Sequence, residues 1–117
     1  MSSIEALGKK VRRFAEERDW AQFHSPKNLS IALAVESAEL LEHFQWLTEA
    51  QSRRLSKKQL REVERELADV LIYLIRISQM LGVDLVVACA KKLVENARKY
   101  PVSKARGSAK KYTELRG

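Results

Sequence analysis

SKKQLREVERELADVLIYLIRISQMLG, running from Ser56 to Gly82, is the stretch from which the rest of the chain can be read. Ser56-Lys-Lys-Gln59 has the form of a capping box, and Gly82 is the residue expected just past a helix end, so one long helix should extend to about Leu81. Val63, Leu67, Val70, Leu74, Ile77 and Leu81 recur at heptad spacing and predict its core stripe. Beside them Glu62, Glu66, Asp69, Tyr73, Arg76 and Met80 step by three and four, a second stripe in which acids interrupt the apolar pattern. A helix lined on two faces needs partners on both, which points to bundle packing and to a subunit interface.

The same design appears upstream. Leu29, Ala32, Glu36, Glu39, His43 and Trp46 trace an inward seam, and Glu36-Ser-Ala-Glu39 stacks two carboxylates on one helical face as Glu66-Leu-Ala-Asp69 does. If the two seams face each other, four carboxylates meet in a partly dry space, which is unstable unless protons or cations neutralise them. Hard oxygen ligands without His or Cys suit Mg²⁺ or Mn²⁺. Acids on helices are more often a solvated face or half of an ion pair. Here Ala32, Leu33 and Leu40 flank Glu36, and Val70-Leu-Ile-Tyr-Leu-Ile75 follows Glu66, so these acids belong to the edge of a core.

Outward from these helices, an amphipathic first helix is expected from about Ser3 to Arg18, with Ile4, Leu7, Val11, Phe14 and Ala15 as its stripe. Asp19 to His24 breaks the period and gathers Trp20, Phe23 and His24 in a loop. That loop reads as a hydrophobic plug or as a surface that stacks on a base and contacts phosphate. Ser25-Pro26 opens the acid-bearing helix, which should end near Phe44, with a polar connector from Thr48 to Leu55. Trp46 lies on the acids' seam, with core or interface packing as the plainer alternative. Asp84 can cap a fourth helix that stops before Tyr100-Pro101. Lys92, Asn96 and Lys99 share one of its faces, as solvated residues or as contacts to substrate phosphates. Val102 to Gly117 reads as a basic tail, ordered by itself or by substrate.

Helices with short connectors and no alternating strand pattern predict an all-α bundle of four main helices in a single domain, 1–117. The 117 residues suffice for one core. No apolar run approaches the roughly 20 residues of a bilayer span, Met1-Ser-Ser-Ile-Glu lacks the regions of a signal peptide, and the single Cys89 rules out an internal disulfide, so cytoplasm is the expected compartment. The net charge of +7 is unevenly placed. Residues 1–90 hold thirteen Lys/Arg against thirteen Asp/Glu, whereas residues 91–117 hold nine against Glu95 and Glu114. Such a segment can bind nucleic acid, or hold a polyphosphate beside an acidic metal site. A Gly-rich phosphate loop, zinc-type Cys/His spacing and the Glu-x-x-His pairs of di-iron bundles are all missing from the sequence.

Arg18-Asp-Trp20, Phe23-His24-Ser-Pro-Lys-Asn-Leu29, Glu36-Ser-Ala-Glu39-Leu and Phe44-Gln-Trp46 resemble the MazG-like all-α nucleotide pyrophosphohydrolases, in particular their dCTP pyrophosphatase branch. Glu66-Leu-Ala-Asp69-Val-Leu-Ile-Tyr73, Lys99-Tyr-Pro-Val102, Arg106-Gly-Ser-Ala and Lys111-Tyr-Thr113 extend the likeness over nearly the whole chain. The resemblance implies Mg²⁺-dependent cleavage of a nucleoside triphosphate, dCTP first, between its α and β phosphates, in the service of nucleotide-pool house-cleaning. It also implies a homotetramer built as a dimer of dimers. The family's metal motif falls on Glu36, Glu39, Glu66 and Asp69. Substrate positions carry over to Trp20, His24, Trp46 and Tyr73, with Lys92, Asn96, Lys99 and Tyr100 as further contacts. Val35 stands where many bacterial members have a second adjacent Glu, and Ala38 replaces a glycine common in the close branch. Attack of water on a triphosphate asks for charge neutralisation more than covalent catalysis, with Glu36 or Glu39 as base, which fits the acid constellation. The rival reading is a non-catalytic helical module whose basic C-terminal segment binds nucleic acid, less expected because the acids converge as well.

Overall fold

Side-chain caps start every long helix of the computed structural model, which describes residues 3–115; Met1, Ser2 and the Arg116-Gly117 end of the basic tail lie outside the described residues. Ser3 Oγ accepts from the Ala6 amide at 3.0 Å and opens α1, Ile4–Glu17. Ser25 Oγ accepts from the Asn28 amide at 3.1 Å, with Pro26 as first residue of α2, Pro26–Glu42. Ser56 and Gln59 exchange both bonds of a capping box, at 3.1 and 2.8 Å, at the head of α4, Lys57–Leu81. Asp84 Oδ1 accepts from the Val87 amide and opens α5, Leu85–Lys99. Each such cap is worth about 1 kcal/mol. The polar connector holds one helical turn, α3 (Glu49–Ser52), with a capping box of its own from Thr48 and Gln51. α6 (Val102–Ala105) and a 3₁₀ turn at Tyr112–Glu114 give the basic tail regular structure.

Helix is the only regular structure among the described residues, with no strand, and the chain divides into two compact units, Met1–Val83 and Asp84–Gly117. In the first, α4 is the axis, with α1 and α2 packed along it. Val11 and Ala15 of α1, Leu29 of α2, and Val63 and Ile75 of α4 are buried there. α4 ends as expected, because Gly82 takes φ 70° and lets the Val83 amide donate to the Ser78 carbonyl at 2.9 Å. In the second unit the Tyr100 and Tyr112 rings meet edge-on at 6.2 Å, and the Lys99 ammonium lies 5.0 Å from the Tyr112 ring centre, tying the tail to the end of α5.

Two expectations are corrected. Only part of the predicted core stripe of α4 faces inward: Val63 is buried and Val70 and Ile77 are half-buried, whereas Leu67, Leu74 and Leu81 are exposed. The helix is rotated so that Ile75, Arg76 and Ser78 take the buried positions. Trp46 leaves the inward seam altogether and is 87% exposed. The α-helix ends at Glu42, and the turns that follow carry residue 46 off the face on which Glu36 and Glu39 lie.

Candidate active site

The long helices α2 and α4 pack side by side, and that packing brings the acid seams together. One carboxylate oxygen from each of Glu36, Glu39 and Glu66 lies within 4.8 Å of the other two. All three side chains are half-buried, and Glu36 Oε2 and Glu66 Oε2 are enclosed with no hydrogen-bond partner. A buried acceptor left unpaired costs about 1–3 kcal/mol, more when charged. Burial therefore pushes the Glu36 carboxyl up to about 7, helped by proton sharing with Glu39 and Glu66 and by the charges of Glu39 and Asp69. Three converging hard oxygens, with two of the acids holding an unsatisfied one, fit a divalent cation of the Mg²⁺ or Mn²⁺ type. Further along the same pair of helices His43 Nδ1 and Glu62 Oε2 stand 3.9 Å apart.

Asp69 is exposed and stands outside the trio of acids, one turn along α4 from Glu66. It lines a cavity of about 240 Å³ together with Trp20, His24, Tyr73 and Arg76, floored by Val11, Phe14, Ala15 and Ile72. Acid cluster and apolar cavity thus adjoin, with Asp69 between them. Asp19 makes the cavity wall possible by adopting φ 53°, a left-handed conformation that ends α1 and swings the chain into a 3₁₀ turn, Trp20–Phe23. Gln22 braces that turn on the Asp19 carbonyl and carboxylate at 3.0 and 3.1 Å, and Asn28 Nδ2 ties the Phe23 carbonyl to α2 at 3.1 Å. The rings form an edge-on series, Phe14 to Trp20 at 5.6 Å and Trp20 to His24 at 6.0 Å, while Arg18 covers Phe14. His24 is held below its ordinary pKa by burial and then by the charge of Arg76.

Of the site residues expected from sequence, the structure gathers Glu36, Glu39 and Glu66 at one spot and Trp20, His24, Asp69 and Tyr73 around the cavity. Trp46 joins neither. Lys92, Asn96, Lys99 and Tyr100 lie in the second unit, where Lys92 and Lys99 both pair with Glu95, at 3.3 and 3.1 Å. Those two cations are partly spent within their own helix, which weakens the reading of that face as a nucleic-acid surface. Ala38 is exposed, so its methyl tightens no packing within the chain. Arg76 was legible as a member of the acid stripe; its place in the cavity wall was not.

An all-α chain that sets paired carboxylates of two helices beside an aromatic cavity has the form of a metal-assisted nucleotide hydrolase. The chain belongs to the MazG-like family, whose model matches residues 31–115. It is 43% identical over 115 residues to dCTP pyrophosphatase 1 of Homo sapiens, covering 97% of this chain and 68% of that protein. The Mus musculus protein of the same name is 44% identical over the same span. A crystal structure of a pyrophosphatase from Archaeoglobus fulgidus superposes with a TM-score of 0.80 at 37% identity, over 86% of this chain and 94% of that one.

Proposed function

We propose that this chain is a dCTP pyrophosphohydrolase, cleaving dCTP and water to dCMP and pyrophosphate. The observation that carries the reading is the convergence of Glu36, Glu39 and Glu66 next to a cavity walled by Trp20, His24, Asp69 and Tyr73. The cavity takes the base, and Trp20 and Tyr73 supply aromatic surface against it. Glu36, Glu39 and Glu66, with Asp69 at their edge, would hold Mg²⁺ or Mn²⁺, which supplies charge neutralisation of the triphosphate and a more acidic water. Glu36 or Glu39 takes the proton of the attacking water. No nucleophilic side chain is needed, because water is the acceptor and pyrophosphate the leaving group.

The working form is a homotetramer, a dimer of dimers, and the whole chain acts as one domain. Leu60, Leu67, Leu74 and Leu81, a heptad row exposed along α4, support this assembly. No helix among the described residues is by itself long and apolar enough to cross a membrane, and we place the enzyme in the cytoplasm, in nucleotide-pool house-cleaning. Incubation with dCTP and Mg²⁺, with products resolved by ion exchange, should give dCMP and pyrophosphate and stop on chelation. Orthophosphate and dCDP as first products would sink the reading.

A further inference from the structure

Arg76 is 5% exposed, and no carboxylate of the described residues lies within ion-pair distance of it. A buried guanidinium without a paired counter-ion is costly; the charges of Arg12 and Glu16 act on it with opposite sign, and directed hydrogen bonds take the place of the ion pair. Its Nε donates to His24 Nδ1 at 2.9 Å and its Nη1 to Gln79 Oε1 at 3.0 Å, while Gln79 Nε2 donates to the Gly8 carbonyl at 2.7 Å.

Every direction in this chain of bonds is forced. The Gly8 carbonyl only accepts, so the Gln79 amide group must turn its NH₂ there and its oxygen to Arg76. Arginine only donates, so His24 Nδ1 must carry a lone pair. A neutral imidazole with a bare Nδ1 has its proton on Nε2, and burial together with the Arg76 charge keeps the ring neutral. α1, α4 and the aromatic turn are all needed to define this state. His24 and Arg76 line the same cavity, and Nε2 is the ring nitrogen left for a ligand.

We propose that Arg76, backed by Gln79 and the Gly8 carbonyl, is a positioning residue that locks His24 as the Nε2–H tautomer, so that the cavity presents a fixed hydrogen-bond donor to an acceptor on the base edge. This rests on the nucleotide reading above. Cytosine offers two adjacent acceptors, O2 and N3, whereas N3 of thymine is itself a donor and would leave two N–H groups facing each other. Thymine shares the O2 acceptor, so the discrimination lies at N3, and a donor set against N3 favours cytosine over thymine. A free imidazole would adapt its tautomer to either edge.

Long-range ¹H–¹⁵N spectra of the labelled full chain at neutral pH test this without any nucleotide. His24 should show a bare Nδ1 and a protonated Nε2. Arg76→Met should draw the two nitrogen shifts together, and Arg76→Lys, which keeps a donor-only head group, should part them again. Arg76→Met should also lower the dCTP to dTTP ratio of kcat/KM about tenfold, chiefly through KM for dCTP. If Arg76→Met does not fold, Gln79→Leu removes the backing and should shift the tautomer balance in the same direction. A proton on Nδ1 in the unaltered protein, or a balance unmoved in folded variants, overturns the lock even if dCTP is cleaved. A single Nε2–H tautomer in a protein that cleaves no triphosphate upholds the lock and overturns the nucleotide reading instead.

Discussion

Glu36 and Glu66 each keep a carboxylate oxygen enclosed and unpartnered, so their chemistry is visible in stability as well as in turnover. Glu66→Gln should keep the fold, hold or raise Tm without metal because one repulsive charge is gone, and lose about a hundredfold or more in kcat. Unfolding of this variant, or near-native turnover, would make the acids structural. Asp69→Asn should lose most activity with Tm unmoved, since Asp69 is exposed and outside the trio. Without metal, pH adds a second signature. The Glu36 carboxyl is raised in the fold from its ordinary 4.5 to about 7. The folded state therefore binds more protons than the unfolded state between those values, and stability from this group is full below 4.5 and lost as pH rises through 7. Thermal unfolding across that window, with chelator, should show Tm falling with pH, and saturating Mg²⁺ should flatten the slope; a flat profile with chelator would remove Glu36 from the buried cluster. The acid pairs were legible because a three-residue step on a helix fixes a shared face whatever the helix packs against. The partners of Arg76 were not, since His24 lies 52 residues from it and the Gly8 carbonyl that orients Gln79 lies 71 residues from that glutamine.

At the scale of elements, caps and stops could be read directly, because Ser3, Ser25, Ser56 and Asp84 act within one turn of themselves. Gly82 sits at φ 70° with open space where a Cβ would point, so Gly82→Ala should cost only the left-handed penalty, about 1–2 kcal/mol. Denaturant midpoints should record that loss with activity retained; no loss would mean that α4 does not end in this conformation. Helix rotation was harder to read. Val63, Val70 and Ile77 are covered to different depths, while Leu67, Leu74 and Leu81 of the same predicted stripe are exposed. Heptad spacing says that a row is apolar and says nothing about whether its cover comes from the same chain. Trp46 fails as a seam residue for a related reason, since the face of a helix cannot be extrapolated past its last turn. At 87% exposed, Trp46→Ala should leave Tm within about 3 °C. Under the stacking role carried by the resemblance it should raise KM for dCTP, CTP, dTTP and dATP alike by about ten- to a hundredfold. Unchanged KM for all four would confine Trp46 to a role outside the site.

Large apolar side chains stand exposed in rows along the long helices of the first unit. Leu60, Leu67, Leu74 and Leu81 are 49%, 51%, 38% and 57% exposed along one line of α4, and Ile31, Val35 and Leu41 are exposed on α2. A heptad row of leucines is self-complementary, since a second copy can set its own row into the gaps of the first. Burying one leucine contributes about 1.5–3 kcal/mol, so the row from two chains supplies several times the energy of any cap in the fold. Light scattering at micromolar concentration should therefore report a multiple of 13.4 kDa, with four copies expected. Leu67→Glu combined with Leu74→Lys places charges at the middle of the row, where each meets apolar surface and loses hydration, and should shift the mass toward the monomer. Both positions are already exposed within the chain, so circular dichroism of the variant should keep its helical signal even as assembly fails. Unaltered mass in the double variant would move the interface off this row, and a monomeric parent chain would leave the leucines without an occupant of this kind.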